Sequence, residues 1–243
     1  MLQSWIPLLL ISIGAGARPD GLAGVEAVPL EGAWAIAGNA AALGVGEESW
    51  AVLADLGSGD VRRYALVQGN ALARGPAGIL LEEGGDVDRW QLSFVLPDLP
   101  GVAYGFDLEY LGGDIDRFSF DLNAVARIDY GVALGVSVRD VAENAPGGRR
   151  TGVGATYRGA GGGAILLEAD GISGWDAELI RAALALTDQG FECRAGVIWH
   201  EGDRAWTLGI GTTPQYRLIF DYAWTREAES PNRHRFGVGI RYR

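Results

Sequence analysis

The sequence predicts an all-β fold: a closed antiparallel transmembrane β-barrel of about fourteen strands, with a short N-terminal luminal plug segment. Three observations predict it. Large apolar side chains alternate with small or charged ones, which is the period of a strand with two unlike faces. The alternating stretches are about ten residues long, enough to cross a bilayer as tilted strands. One face is aromatic and aliphatic and the other rich in Gly, Ala, Asp and Arg, as lipid outside and water or a plug inside require.

The first seventeen residues predict a signal peptide. Leu2 to Ile13 is a short apolar run, and Ala15-Gly16-Ala17 supplies small residues for cleavage after Ala17. Met1 to Ser4 contains no Lys or Arg, which departs from the usual pattern. A buried first strand is the alternative. We therefore expect export, with a mature chain that begins at residue 18.

The segment 18–46 is rich in Gly and Ala and does not alternate. Glycines on the inward face of the strands, such as Gly135 and Gly209, bring the wall close to whatever fills the interior, so we expect this segment to lie inside the barrel formed by 47–243. A helical turn or two near Ala33 to Leu43 is predicted by the Ala content, with Gly44 as a stop. Two patterns in this segment match a known family: the set Arg18, Gly21, Gly24 and Ala27, and the run Asn39-Ala40-Ala41-Ala42-Leu43.

With these residues the sequence resembles the outer-membrane long-chain fatty-acid transporter superfamily (FadL-like and PorV-like barrels). Ala40 stands where that family has Pro, and the glycine spacing is imperfect. The resemblance implies fourteen strands, a luminal plug and a hydrophobic ligand. It also implies that Trp34, Ile36 and Leu43 line an apolar cleft, and that Asn39 closes the plug turn.

Counting the alternating stretches gives about fourteen strands, an even number as expected for a bacterial barrel. Twelve is the alternative, because 77–82 is short and 175–186 switches phase between Leu179 and Ile180, where a bulge or a helix would fit. The predicted strands lie near 48–56, 61–68, 77–82, 89–96, 101–111, 116–127, 129–139, 150–158, 163–170, 175–186, 191–199, 203–212, 216–226 and 233–243.

The turns and aromatic residues predict how the barrel sits in the membrane. With the N-terminus in the periplasm, most of the longer loops, such as 140–149, fall on the outside. Ten aromatic residues lie towards strand ends, where a headgroup-level girdle needs them: Trp50, Trp90, Tyr110, Tyr130, Tyr157, Trp175, Trp199, Tyr216, Trp224 and Tyr242.

Nine charged residues lie at or near strand positions whose side chains point into the lumen, which we call the inward phase. They predict either an ion-pair ladder across the lumen or a polar conduction path. They are Arg117, Asp121, Arg127, Glu168, Glu178, Glu192, Arg194, Arg217 and Asp221.

Composition excludes several classes of function. The net charge is -11 and every basic residue is Arg, so nucleic-acid binding is not expected and no lysine-containing phosphate loop exists. Cys193 is the only cysteine and His200 and His234 the only histidines, so we predict no metal site and no cofactor.

We therefore predict a bacterial outer-membrane protein, not an enzyme, that takes up or exports a hydrophobic small molecule passively. Its expected partners are outer-membrane lipids, that ligand and other envelope proteins. The first alternative is a non-transporting anchor, or an assembly or secretion partner. A distant alternative is a lipid hydrolase with His200 as base, for which the sequence identifies no serine partner.

Overall fold

In the computed structural model the barrel closes with fourteen antiparallel strands, because the first strand pairs with the last. The predicted count and closure are confirmed. The structure describes residues 27, 35–36, 38–45 and 50–242, apart from 58–61, 69–74, 84–87, 98, 113–115, 129–130, 144–147, 174–175, 201–202, 214–216 and 228–231. The predicted signal peptide, 1–17, lies outside the described residues.

Each strand pairs with its two neighbours along the chain, so the barrel is a continuous meander. The strands are β1 (Trp50–Gly57), β2 (Arg62–Gln68), β3 (Ala77–Glu83), β4 (Arg89–Pro97), β5 (Val102–Leu111), β6 (Arg117–Arg127), β7 (Val132–Arg139), β8 (Arg150–Arg158), β9 (Gly163–Ser173), β10 (Asp176–Asp188), β11 (Phe191–His200), β12 (Asp203–Thr212), β13 (Leu218–Glu227) and β14 (Arg233–Tyr242).

The alternation in sequence is the alternation between the two faces of the wall. In β5, Tyr104, Phe106 and Leu108 are exposed on the outside, while Ala103 and Asp107 are buried on the inside. The same arrangement on the other strands gives an outer surface of Leu, Ile, Val and aromatic side chains. Such a surface is unfavourable in water and stable in hydrocarbon, so the wall is built for a bilayer.

The two strands that the sequence marked as weak are both present. β3 is short but pairs on both sides. β10 is a strand rather than a helix, and its pairing with β9 is interrupted at Glu178, opposite Gly171. Gly171 has a φ of +66°, a conformation that L side chains rarely adopt. The predicted irregularity is therefore a local break in the ladder.

The two ends of the barrel differ in what meets there. β1 begins and β14 ends at the same rim, which we call the termini end, and Trp50 pairs with Tyr242 there. The tight turn at Gln189 and Gly190 also lies at this end, and both residues have positive φ. The 140–149 connection lies at the other rim, the opposite end. No helix among the described residues is long and apolar enough to cross a membrane.

Candidate functional site in the barrel lumen

The lumen carries an apolar layer near the termini end. It is formed by inward side chains of β13 and β1–β6, which we call the apolar luminal sector. Its members are small or aliphatic and are all buried: Ala51, Ala65, Val67, Leu80, Val95, Ala103, Val125 and Ile219. This sector is the surface on which the described part of segment 18–46 packs.

A short 3-10 helix, Ala40–Gly44, lies against β4, β5 and β6. Ala40, Ala41 and Ala42 are buried against Val95, Ala103 and Val125. The close approach requires Gly105 in the wall, because a Cβ there would lie 2.7 Å from the backbone nitrogen of Ala41. The helical turn predicted near Ala33 to Leu43 is thus present over its last part.

Ile36 fills the other part of the apolar luminal sector. Its side chain is fully buried and packs with Val67, Leu80 and Ile219. Gly78 on β3 leaves the space that its Cδ1 occupies. The Nε2 of Gln91 donates a hydrogen bond of 3.0 Å to the carbonyl of Ile36. Leu43, a residue of the 3-10 helix, is half-buried and packs against both the Ile36 cluster and the cluster that contains Ala40, Ala41 and Ala42.

Asn39 connects the segment to the wall. Its Nδ2 points at three backbone carbonyl oxygens: Ala27 at 3.2 Å, Ala124 of β6 at 3.3 Å and Val136 of β7 at 3.3 Å. Ala27 in turn donates its N–H to Oε2 of Glu168 at 2.6 Å. Both residues are buried. Asn39 therefore joins two parts of the segment to each other and to the wall.

Ion pairs occupy much of the remaining lumen. Arg194 of β11 pairs with Glu192 at 2.9 Å and with Asp221 of β13, and all three side chains are almost completely buried. Gly211 of β12 lies between these strands, where a Cβ would collide with both Asp221 and Arg194. A glycine on the middle strand is thus what lets the pair form.

A second network links β7, β9 and β10. Arg181 pairs with Glu168, which also binds the N–H of Ala27, and lies 3.6 Å from Asp170. Arg139 of β7 pairs with Asp170 from the other side. Through the carboxylate of Glu168, this network is connected to Ala27 of segment 18–46.

The opposite end of the lumen is more acidic on β4–β6. Asp107, Glu109 and Asp121 are buried there, and Arg89 pairs with Glu109. Asn123 donates a hydrogen bond to Asp107, and the N–H of Asp140 donates one to Asp121 at 2.8 Å. Further along the same rim, Arg63 pairs with Glu82 at 2.8 Å. On β1–β6 the lumen is thus apolar towards the termini end and charged towards the opposite end.

The charged residues predicted on the inward phase divide into two groups. Five are buried in the lumen: Asp121, Glu168, Glu192, Arg194 and Asp221. The other four, Arg117, Arg127, Glu178 and Arg217, are exposed at or near strand ends. The predicted set omits Asp107 and Glu109, which are also buried in the lumen. The sequence pattern indicates their direction, because they alternate with Tyr104, Phe106 and Leu108.

The predicted ligand-binding residues are close together only in part. Ile36, Asn39 and Leu43 lie on the luminal segment, whereas Trp34 lies outside the described residues.

His200, the base in the hydrolase alternative, is exposed at the end of β11. The buried serines Ser93, Ser119 and Ser137 lie on β4, β6 and β7, none of which neighbours β11. Within the described part of the chain, no group of three or more His, Cys, Asp or Glu is arranged to hold a metal ion.

Comparison with known proteins identifies the fold. No protein-family model and no curated protein matches the sequence significantly. The CymD monoaromatic hydrocarbon channel is similar with a TM-score of 0.65 at 11% identity, covering 94% of this chain and 96% of that chain. Outer membrane protein Omp33 of Acinetobacter baumannii is similar with a TM-score of 0.59 at 11% identity, covering 82% and 100%.

The chain thus has the fold of bacterial outer-membrane β-barrels, and the predicted outer-membrane location is confirmed at this level. The prediction that the protein is not an enzyme stays a prediction. The narrower resemblance to the fatty-acid transporter superfamily stays a prediction.

Proposed function

We propose that this protein is a passive outer-membrane channel for a hydrophobic small molecule, with segment 18–46 as a luminal plug. One observation carries the proposal: Ile36 and the 3-10 helix cover the apolar luminal sector. An apolar layer inside an otherwise charged lumen suits a hydrophobic molecule. In this proposal Trp34, Ile36, Asn39 and Leu43 form the ligand-binding side of the plug.

The plug is held more weakly than the wall. Its helix contributes Ala40, Ala41 and Ala42, each of which buries little apolar area. Its polar contacts stabilise it modestly: the three contacts of Asn39 contribute about 1 kcal/mol together. The wall strands share continuous hydrogen-bond ladders, so local release of the plug is expected well before the barrel opens. Release would expose Val67, Leu80 and Ile219 to an entering molecule.

The similarity to the CymD monoaromatic hydrocarbon channel supports the substrate class. That protein matches over nearly the whole of both chains and is a channel for small apolar rings by its name. A molecule of that size replaces a side chain such as Ile36 more readily than a large polar solute does. We therefore choose toluene as the test ligand and arabinose as its polar counterpart.

The second candidate function is a non-transporting anchor for other envelope proteins. The buried ion pairs favour it, because Arg194 with Asp221 and Arg181 with Glu168 join wall strands to one another and fill luminal space. A lumen sealed in this way would fix the barrel as a rigid platform. The two candidates differ in one measurable property, permeability.

Uptake of labelled toluene and arabinose by cells that produce the full-length chain in a porin-deficient outer membrane separates the candidates. We expect toluene to enter faster than in cells without the protein, and Ile36→Ala to increase its entry severalfold by vacating the apolar luminal sector. Ile79→Ala, the matched change on the lipid-facing side of β3, should match the wild type. A heat-modifiability gel checks that each barrel is folded.

Two results would contradict the proposal. A folded wild type and a folded Ile36→Ala variant that both leave toluene uptake unchanged would remove transport and favour the anchor. Toluene uptake that responds equally to Ile36→Ala and Ile79→Ala would keep transport but remove the ligand site from the plug.

A further inference from the structure

The outer wall carries an apolar groove of about 510 Å³ across β9–β13. That volume lies within the roughly 300–1,000 Å³ typical of small-molecule sites. Its floor includes Ala182 and Ala195, and Leu184, Trp206 and Trp224 stand around it. The groove therefore lies in the surface that faces lipid, outside the lumen.

Small side chains on the outward phase create the groove. Ala182 has the same phase on β10 as the exposed Ile180 and Leu184, so it faces outward. Ala195 pairs with Leu184 on one side and with Leu208 on the other. On β5, by contrast, successive outward residues are Tyr104, Phe106 and Leu108. The wall is recessed at β10 and β11 because alanine stands where other strands carry bulky groups.

An arginine closes one end of the groove. Arg226 lines it and lies directly opposite Trp206 in the β12–β13 register. Arg204, two residues from Trp206 on the same outward phase, is its diagonal neighbour, and such neighbours lie about 7–8 Å apart. Both arginines are exposed at the opposite end of the barrel. Among the described residues, neither forms an ion pair.

Two arginines beside a hydrocarbon-facing recess form an amphipathic site. The recess offers aliphatic and aromatic contacts, and the guanidinium groups offer planar donors that bind phosphate in bidentate fashion. Asp203, the carboxylate next to Arg204 in sequence, is on the other phase of β12. His234 and Tyr222 are hydrogen-bonded to each other on the neighbouring outward surface. Arg204 and Arg226 thus bring positive charge to this part of the outer wall, although the chain is acidic.

We propose that this groove binds lipopolysaccharide: an acyl chain lies along Ala182 and Ala195, and a lipid A phosphate binds Arg204 and Arg226. With the termini in the periplasm, the opposite end reaches the outer leaflet, where that lipid is found. The combination of two arginines and an apolar recess distinguishes this site from the rest of the lipid-facing outer wall. It is independent of what passes through the lumen.

Binding of purified lipopolysaccharide to the full-length chain in detergent tests the site, with native mass spectrometry as readout. The double variant Arg204→Ala/Arg226→Ala should bind roughly tenfold more weakly, because both phosphate contacts are lost. Arg62→Ala is the matched control, since Arg62 is an exposed outward arginine at the same end on β2. Ala195→Trp should weaken binding by filling the groove, whereas Ala155→Trp on β8 should not.

The source of the phosphate is distinguished by two further probes. Chemically dephosphorylated lipopolysaccharide and phosphatidylglycerol should both bind more weakly and respond little to the double variant. Equal loss in the double variant and in Arg62→Ala would overturn the proposal. A second result would also overturn it: Ala195→Trp binds lipopolysaccharide as the wild type does but no longer forms a dimer. The groove would then be an interface between two copies of the chain.

Discussion

Two glycines on the luminal face, Gly105 and Gly211, make room for different kinds of atoms. Gly105 on β5 leaves room for a backbone, that of Ala41 in the 3-10 helix. Gly211 on β12 leaves room for side chains, the ion pair of Arg194 with Asp221. In both places the wall lacks a side chain so that something else can fill the lumen. The first filling is apolar and belongs to a separate segment, whereas the second is charged and belongs to the wall.

The difference teaches which part of the lumen is able to move. The plug on β4–β6 is held by alanine contacts and single hydrogen bonds. The ion pair on β11–β13 joins strands that are already fixed by their ladders. We therefore expect changes at the ion pair to lower the stability of the whole barrel, and changes at the plug to act locally.

The largest effect is expected from Arg194→Ala. It removes the guanidinium that pairs with the buried carboxylates of Glu192 and Asp221, which costs about 3–5 kcal/mol in the free energy of unfolding. Reversible urea unfolding in lipid vesicles measures it. Arg217→Ala, at an exposed position, should change the free energy of unfolding little. The triple variant Arg194→Met, Glu192→Gln, Asp221→Asn should recover most of the loss; failure to recover would mean that packing, not charge, stabilises this region.

A smaller and local effect is expected from Gly105→Ala. The new Cβ would lie 2.7 Å from the backbone nitrogen of Ala41, so the helix has to shift away from β5 at a cost of about 1–3 kcal/mol. Limited proteolysis should cut segment 18–46 faster while the barrel stays folded. Gly163→Ala is the control, since its Cβ would meet Leu186 at an ordinary 3.6 Å. Unfolding of the whole barrel with an uncut segment would show that the two cannot be separated.

The smallest effect is expected from Asn39→Ala. The variant loses the contacts of Nδ2 to the carbonyls of Ala27, Ala124 and Val136, worth about 1 kcal/mol in plug docking. Hydrogen exchange of the helix Ala40–Gly44 should become faster by several-fold, with no change in the strands. If exchange in β6 and β7 rises equally, Asn39 stabilises the wall rather than the plug.

Much of the fold could be predicted because a barrel wall is specified locally. Lipid on one side and lumen on the other impose a period of two on every strand, so Tyr104, Phe106 and Leu108 already indicate which face they occupy. The same pattern predicts about fourteen strands, with twelve as the alternative. The direction of a side chain is less predictable at the ends of strands, where the alternation between the two faces breaks down. Arg117 and Arg217, at strand ends, are exposed rather than buried in the lumen.

The partners of luminal side chains could not be predicted, because they depend on register and on barrel closure. Arg194 reaches Asp221 across an intervening strand, 27 residues away in sequence. Asn39 reaches carbonyls on β6 and β7 that lie 85 and 97 residues away. No sequence pattern marks such contacts, since each requires strands from distant parts of the chain to stand at fixed heights.

The sequence by itself determined that the chain forms amphipathic strands, and which side chains face lipid and which face the lumen, because both are consequences of period two in an apolar solvent. It left the strand count between twelve and fourteen. Tertiary structure alone decided that the lumen is divided between an apolar sector and charged networks on other parts of the wall, and that a recess flanked by two arginines opens on the outer wall. Both arise from the alignment of side chains on adjacent strands, which is a property of the closed barrel and of no single segment.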